Sequence, residues 1–145
     1  SFINGLTGIT AETLKDAPPV EKVIKDFQEF VGSLPMVGYN AAKSDLPILA
    51  EHGLDYSQQY KVDLYDEAFE RRSSDLHGIA NLKLQTVASF LGFQGQSHNS
   101  LEDARMTARV YEFFLESDQA KLLLETQSSL SNNPFGGLDL SQLFN

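Results

Sequence analysis

Two side chains suited to acid–base and metal chemistry stand five apart in His98-Asn99-Ser100-Leu101-Glu102-Asp103-Ala104-Arg105. An imidazole moves protons near neutrality because its ordinary pKa is about 6.5, and a carboxylate offers hard oxygen ligands to a cation. Were both residues helical, five positions would turn the chain by roughly 500° and separate their faces. His98 is therefore expected in a loop that folds back over the start of the following helix. Ser100 is a suitable N-cap, and Asp103 then completes an S-x-x-[DE] capping pattern ahead of an apolar-periodic run. A first-turn aspartate favoured by the helix dipole is the plain explanation of Asp103. The helical wheel adds a second one. Glu102, Arg105, Arg109, Glu112 and Glu116 gather on a solvent side, Leu101, Ala104, Ala108, Tyr111 and Leu115 on one buried stripe, and Asp103 falls with Thr107, Val110 and Phe114 on another. A carboxylate pointing inward is costly unless paired, hydrogen-bonded or metal-bound.

A second acidic residue, Asp45, follows a buried run and opens a helix, the place where α/β folds put site residues at the carboxyl edge of a sheet. It too admits the helix-dipole explanation. Two carboxylates on separate helix starts, with a loop histidine, can converge on one cleft and hold hard cations while His98 stays free to move protons.

The elements that must position these groups are legible in outline. Residues 1–10 read as a polar, glycine-punctuated loop, with a short helical turn from Ala11. Pro18 and Pro19 suit a first helical turn, and Val20, Val23, Ile24, Phe27, Phe30 and Val31 repeat at helical spacing up to Gly32. Pro35-Met36-Val37-Gly38-Tyr39 reads as a buried strand, residues 40–45 as the turn into a helix ending near His52-Gly53, and Tyr60-Lys61-Val62-Asp63-Leu64 as a second strand. This order favours a parallel crossover. A helix to about Arg72, an irregular connection over residues 73–80 and a helix capped by Asn81, with Leu84, Val87, Ala88 and Leu91 inward and Gly92 at its end, come next. The helix from Ser100 is expected to reach Glu116, with a further short helix starting at Ser117 or Asp118 and running to Glu125. Residues 1–125 thus read as one domain and 126–145, rich in Gln, Ser, Asn and Gly, as a flexible linker and tail.

The chain of 145 residues, 41% hydrophobic with ten Phe and five Tyr, is long enough for one core. Eleven basic and twenty acidic residues give a net charge of −9, the wrong sign for holding nucleic acid by bulk electrostatics. A polyanion would need divalent cations in a carboxylate cluster. Zero cysteines exclude disulfides and thiolate metal sites and agree with a reducing, cytoplasmic setting. The apolar runs are far shorter than the roughly 20 residues of a membrane span.

In the segments Ile3-Asn4-Gly5-Leu6-Thr7-Gly8-Ile9-Thr10, Val37-Gly38-Tyr39-Asn40 with Asp45, Val62-Asp63-Leu64, Leu82-Lys83-Leu84-Gln85-Thr86-Val87-Ala88 with Leu91-Gly92, and His98 with Asp103-Ala104, the chain resembles the DEDDh 3′-to-5′ exonucleases. Among these it is most similar to the proofreading epsilon-subunit type of bacterial DNA polymerase III. The resemblance runs from Ile3 to about Ser117. It implies an α/β, RNase-H-like fold with a mixed sheet flanked by helices, and a site with two Mg²⁺ or Mn²⁺ ions. It further implies Asp45 and Asp103 as metal ligands, His98 as general base, and Asn40 and the segment Leu6, Thr7, Gly8, Ile9 near the terminal nucleotide. The reaction would be two-ion hydrolysis at the 3′ end of single-stranded DNA. Two departures stand out. The family has four positions from Asn to Asp where this chain has five between Asn40 and Asp45. Its first acidic pair, Asp-x-Glu, would lie on a strand before Ser1. With three strands unaccounted for, and a two-stranded sheet a weak basis for an α/β core, the segment is expected to be the C-terminal part of an exonuclease domain, or one that takes strands from another chain, and to be inactive alone.

Other titratable residues read more plainly. His52 suits a helix C-terminus, and His77 sits in a polar loop. Arg71, Arg72 and Lys83 flank one connection, as a solvated cluster or as phosphate contacts, and Asp63 ends a strand, to cap the next turn or to orient a site. Leu138-Asp139-Leu140-Ser141-Gln142-Leu143-Phe144 loosely resembles peptides that bind bacterial sliding clamps. That leaves a rival reading, a catalytically silent replication docking module that binds a sliding clamp through its tail; a DNA polymerase subunit is the other protein partner expected. An exoribonuclease of the same fold is a third.

Overall fold

The computed structural model describes residues 2–95 and 98–132. Helices α1 (Phe2–Thr7) and α2 (Ala11–Leu14) lead into α3 (Val20–Val31), strand β1 (Met36–Gly38), α4 (Asp45–Glu51), strand β2 (Lys61–Asp63) and α5 (Leu64–Glu70). A 3₁₀ turn (Arg71–Ser73), α6 (Leu84–Phe90) and the long α7 (Ser100–Asn132) complete the order.

The strands pair in parallel with Met36 opposite Lys61, Val37 opposite Val62 and Gly38 opposite Asp63, as the strand–helix–strand order demands. Both carboxyl ends therefore lie at one edge, and the segments leaving Gly38 and Asp63 start side by side. Gly38 is required there: a Cβ on it would stand 2.5 Å from that of Ala41, so only glycine lets the following turn fold back this closely.

Around α3 and α4 a core forms from Ile24, Leu46 and Leu54, with Phe27, Met36, Ala41 and Leu49 partly buried against it. Of the apolar positions that repeat at helical spacing along α3, Ile24 is buried while Val20, Val23 and Phe30 are exposed. Leu64, Leu76, Val87 and Val110 are the largest fully buried side chains. Each withdraws enough apolar surface to contribute about 1.5–3 kcal/mol.

The chain divides into two compact units, residues 1–111 and 112–145. In the second, α7 continues through Asn132 without the break expected at Ser117 or Asp118. No glycine or proline interrupts residues 100–132, and the good helix formers Gln119, Ala120, Lys121 and Leu122–Leu124 carry the helix past two residues that also cap. Residues 126–132, expected as linker, are helical. Thr126 and Ser129 donate their hydroxyls to the carbonyls of Leu122 and Glu125, 2.8 and 2.9 Å away, which satisfies them inside a helix. The clamp-like motif of the tail lies outside the described residues.

The amino-terminal segment also departs from expectation. Phe2–Thr7 is a helix rather than a loop, closed by Gly8 in the left-handed region (φ 73°) with its N–H on Asn4 O at 2.9 Å, a glycine C-cap. Lys83 rather than Asn81 is the N-cap of α6, although Asn81 Oδ1 accepts from Lys83 N at 3.0 Å. Among the described residues no helix is long and apolar enough to cross a membrane.

Candidate nucleotide-binding cavity

The start of α7 is set by Asn99, not Ser100. Asn99 Oδ1 accepts from the N–H groups of Leu101 and Glu102 at 3.1 and 3.2 Å, and Asp103 N donates to Asn99 O at 2.8 Å. Asparagine is at least as good a cap as serine, so the helix begins one residue earlier and Asp103 moves to its fourth position. His98, just before the cap, adopts a left-handed backbone (φ 63°), the fold-back that the five-residue spacing required.

Of the two stripes drawn on this helix, the one carrying Asp103 is the inward one. Met106, Thr107 and Val110 are buried and Asp103 is half-buried, whereas Leu101, Ala104 and Ala108 are exposed and Tyr111 is half-buried. The expected alanine stripe is thus corrected: it is the polar-to-apolar row 103–107–110 that faces the interior. Asp103 stands at the open end of that row.

Asp103 and His98 come together on a cavity of about 550 Å³. Asn40, Tyr39 and Tyr65 from the carboxyl edge of the two strands form one side, and Lys83 and Gln85 at the start of α6 another. Tyr39 and Tyr65 meet edge to face with ring centroids 6.2 Å apart. The Tyr39 hydroxyl donates to Leu82 O at 2.5 Å, tying the strand edge to the segment before α6 across the mouth. Burial pushes the Tyr39 phenol well above its ordinary pKa, with Tyr65 and Asp63 adding to the shift, so the hydroxyl stays a donor at neutral pH.

Asn40 is held by Asp63. The Asn40 N–H reaches Asp63 Oδ1 at 2.6 Å and Ala42 N–H reaches Oδ2 at 3.2 Å, while Tyr65 N–H caps onto Oδ1 at 3.1 Å. One carboxylate therefore caps α5 and fixes the turn after β1, with Asn40 itself in the left-handed region (φ 55°). Asp63 is thus the cap expected of it, and its carboxylate also ties the turn after β1 to the start of α5.

The remaining sequence candidates sit elsewhere. Asp45 is exposed in the first turn of α4 and accepts from Ser44 Oγ at 3.1 Å; it is not among the described residues that line the cavity. Leu6, Thr7, Gly8 and Ile9 form the end of α1, where Thr7 Oγ1 donates to Ile3 O at 2.9 Å and accepts from Ile9 N at 3.2 Å, and none of the four is among the described lining residues. Arg71 is not solvated, as a surface cluster would be. It is buried, paired with Glu67 at 2.9 Å and Asp75 at 3.6 Å, so it anchors the 3₁₀ turn. Arg72 lies over the Phe69 ring, 3.8 Å from its centroid, and Lys83 alone of the three basic residues lines the cavity among the described residues.

The described donors do not by themselves fit a two-ion centre. Asp103 is the one carboxylate among the described lining residues, and no group of three or more His, Cys, Asp or Glu able to hold a metal occurs among the described residues. What the cavity brings together is a carboxylate, an imidazole, two carboxamides and a lysine beside two aromatic rings. That combination suits a ligand with an anionic group and a flat ring.

Comparison with known proteins gives the family of the chain. A family model described as exonuclease, of the RNase T group, matches residues 1–111. The PolC-type DNA polymerase III of Clostridium perfringens is 25% identical over 142 residues, 97% of this chain and 10% of that protein. The PolC-type enzyme of Caldanaerobacter subterraneus is 31% identical over 120 residues, 82% of this chain and 8% of the relative. The DNA polymerase III subunit epsilon of Aquifex aeolicus is 29% identical over 119 residues, 79% of this chain and 56% of the subunit. The chain thus spans about a tenth of these PolC-type relatives and little more than half of the epsilon subunit. With its α/β architecture and the family match over most of its length, the chain belongs to the RNase T exonuclease family.

Proposed function

We propose that this chain contributes the nucleotide-removing site of a 3′-to-5′ DNA exonuclease of the proofreading type. The observation that carries the proposal is the meeting of His98, Asp103 and Asn40 on one cavity, in a chain whose relatives are DNA polymerase III proteins. His98, in the loop before α7, accepts the proton of the attacking water. Asp103 orients the imidazole or offers oxygens to a divalent cation, and Asn40, clamped through its backbone by Asp63, positions the terminal nucleotide. Mg²⁺ or Mn²⁺ is the expected cofactor of such hydrolysis, and Asp45 the expected second ligand, although its place outside the described cavity lining gives that role no geometric support.

Digestion of a 5′-labelled single strand by the natural full-length protein tests this. Progressive shortening from the 3′ end is expected, with His98→Ala slowing it by about 10²–10⁴-fold, the usual weight of a general base. Failure to shorten DNA from that end overturns the proposal, and shortening of RNA in its place reassigns the substrate.

A further inference from the structure

Gln85 is a cavity residue with an unused hydrogen-bond donor. Its Nε2 is buried and finds no hydrogen-bond partner among the described residues, although the residue as a whole is half-buried and lines the cavity. Buried amides are normally paired, and leaving one unpaired destabilises the fold. Nearby groups are already engaged: the Tyr39 hydroxyl bonds to Leu82 O, and the Asn40 N–H bonds to Asp63. Two residues before Gln85, Lys83 lines the same cavity, exposed, with its ammonium in no ion pair among the described residues. In a chain of net charge −9, a cation placed there favours the local approach of an anion.

We propose that Lys83 and Gln85 form a subsite for a nucleoside 5′-monophosphate unit, the lysine holding its phosphate and the glutamine carboxamide hydrogen-bonding the same nucleotide. The terminal torsion of glutamine is broad, so rotation about it can present the Nε2 edge of the amide to the cavity without rotamer strain. The edge-to-face pair Tyr39 and Tyr65 supplies an aromatic surface for the base. The choice of a nucleotide as ligand rests on the exonuclease reading, whereas the amide and the ammonium, both without a partner among the described residues, do not.

Thymidine 5′-monophosphate, thymidine and inorganic phosphate, each titrated into the full-length protein without divalent metal, provide the test. Lys83→Gln should weaken the monophosphate and inorganic phosphate about fivefold each, flatten the salt dependence and leave thymidine unaffected. Gln85→Leu should weaken the monophosphate about fivefold, the scale of one lost hydrogen bond, and at the same time raise Tm, because an unpaired amide has been removed from the free protein. The proposal is overturned if both variants bind the monophosphate like wild type, if wild type binds none, or if Gln85→Leu loses binding and Tm together, which would assign a packing role. Hydrolysis measured on the same samples separates the two readings. Variant-sensitive binding without 3′-end hydrolysis keeps the subsite and rejects the nuclease, and hydrolysis with unchanged affinities does the reverse.

Discussion

At the end of β1 the chain turns through residues 39–45 into α4, and at the end of β2 it passes through Asp63 directly into α5. Each junction puts an aspartate at the start of a helix, beside the same sheet edge, yet the two carboxylates live differently. Asp63 is half-buried and accepts three backbone N–H groups, two of them from the other junction. Asp45 is exposed, with the Ser44 hydroxyl as its partner in hydrogen bonding. A carboxylate whose lone pairs are filled by backbone donors is committed to architecture, and one left facing water keeps them for a ligand. The comparison separates what builds the cavity from what could act in it.

The largest effect should come from removing the committed carboxylate. Asp63→Ala strands three N–H donors and removes the cap of α5, so about 3 kcal/mol of stability should be lost, a fall in Tm of roughly 10 °C. Thermal unfolding followed by circular dichroism measures it. A loss no greater than that of Asp45→Ala would erase the distinction between the junctions.

Gly38→Ala tests the turn that Asp63 clamps. The new methyl would meet Ala41 Cβ at 2.5 Å, and overpacking of this kind costs about 2 kcal/mol. Adding Ala41→Gly should recover most of that loss. If the double variant is as unstable as the single one, close approach is not what requires glycine at position 38.

Much of this geometry could be anticipated, and the failures have physical causes. The parallel strands, α4, α5 and α6 follow from local patterning, helped at β1, α4 and α6 by Gly38, Gly53 and Gly92 at or just past their ends. The cap of α7 slipped by one residue because Asn99 and Ser100 are both good caps, and only the hydrogen bonds to Asn99 Oδ1 choose between them. The buried face of α7 was misassigned in part because a row of alanine and leucine looks more apolar than Asp103, Thr107 and Val110. Tertiary contact, not hydropathy, decides the matter. The reach of Asp63 to Asn40 and Ala42 was hidden for another reason: its partners lie 23 and 21 residues earlier, and no local pattern announces such a bond. Gln85 gave no signal at all, since an unpaired amide is a property of the packed state.

A smaller effect, of opposite pH sense to acid denaturation, should come from Tyr39. Its phenol is raised in the folded protein, so the native state holds that proton more tightly than the unfolded chain. The associated stability is complete below the unfolded phenol pKa of about 10 and declines as pH rises from there through the higher native value. Tyr39→Phe should be less stable than wild type by about 1 kcal/mol at neutral pH, the loss of the bond to Leu82 O. The gap should close between about pH 10 and 12 as only wild type loses stability. Urea unfolding at several alkaline pH values reads both, and parallel curves would show that the hydroxyl contributes no linked proton.

The smallest stability change, and the sharpest use of the comparison, is expected at Asp45. With exposed oxygens and a place in the first turn of a seven-residue helix, its contribution to folding is a helix-end charge worth about 0.3–1 kcal/mol, and less in salt. Asp45→Asn keeps the shape and removes that charge, so Tm should move by no more than about 3 °C. If Asp45 also serves hydrolysis in the full-length protein, the same substitution must slow the reaction by far more than so small a change in stability can explain. Measuring rate and Tm on one sample settles the matter: a large loss of rate at nearly constant Tm makes Asp45 a working ligand that the five-residue turn delivers from outside the cavity lining, whereas an unchanged rate leaves Asp103 and His98 to act without it.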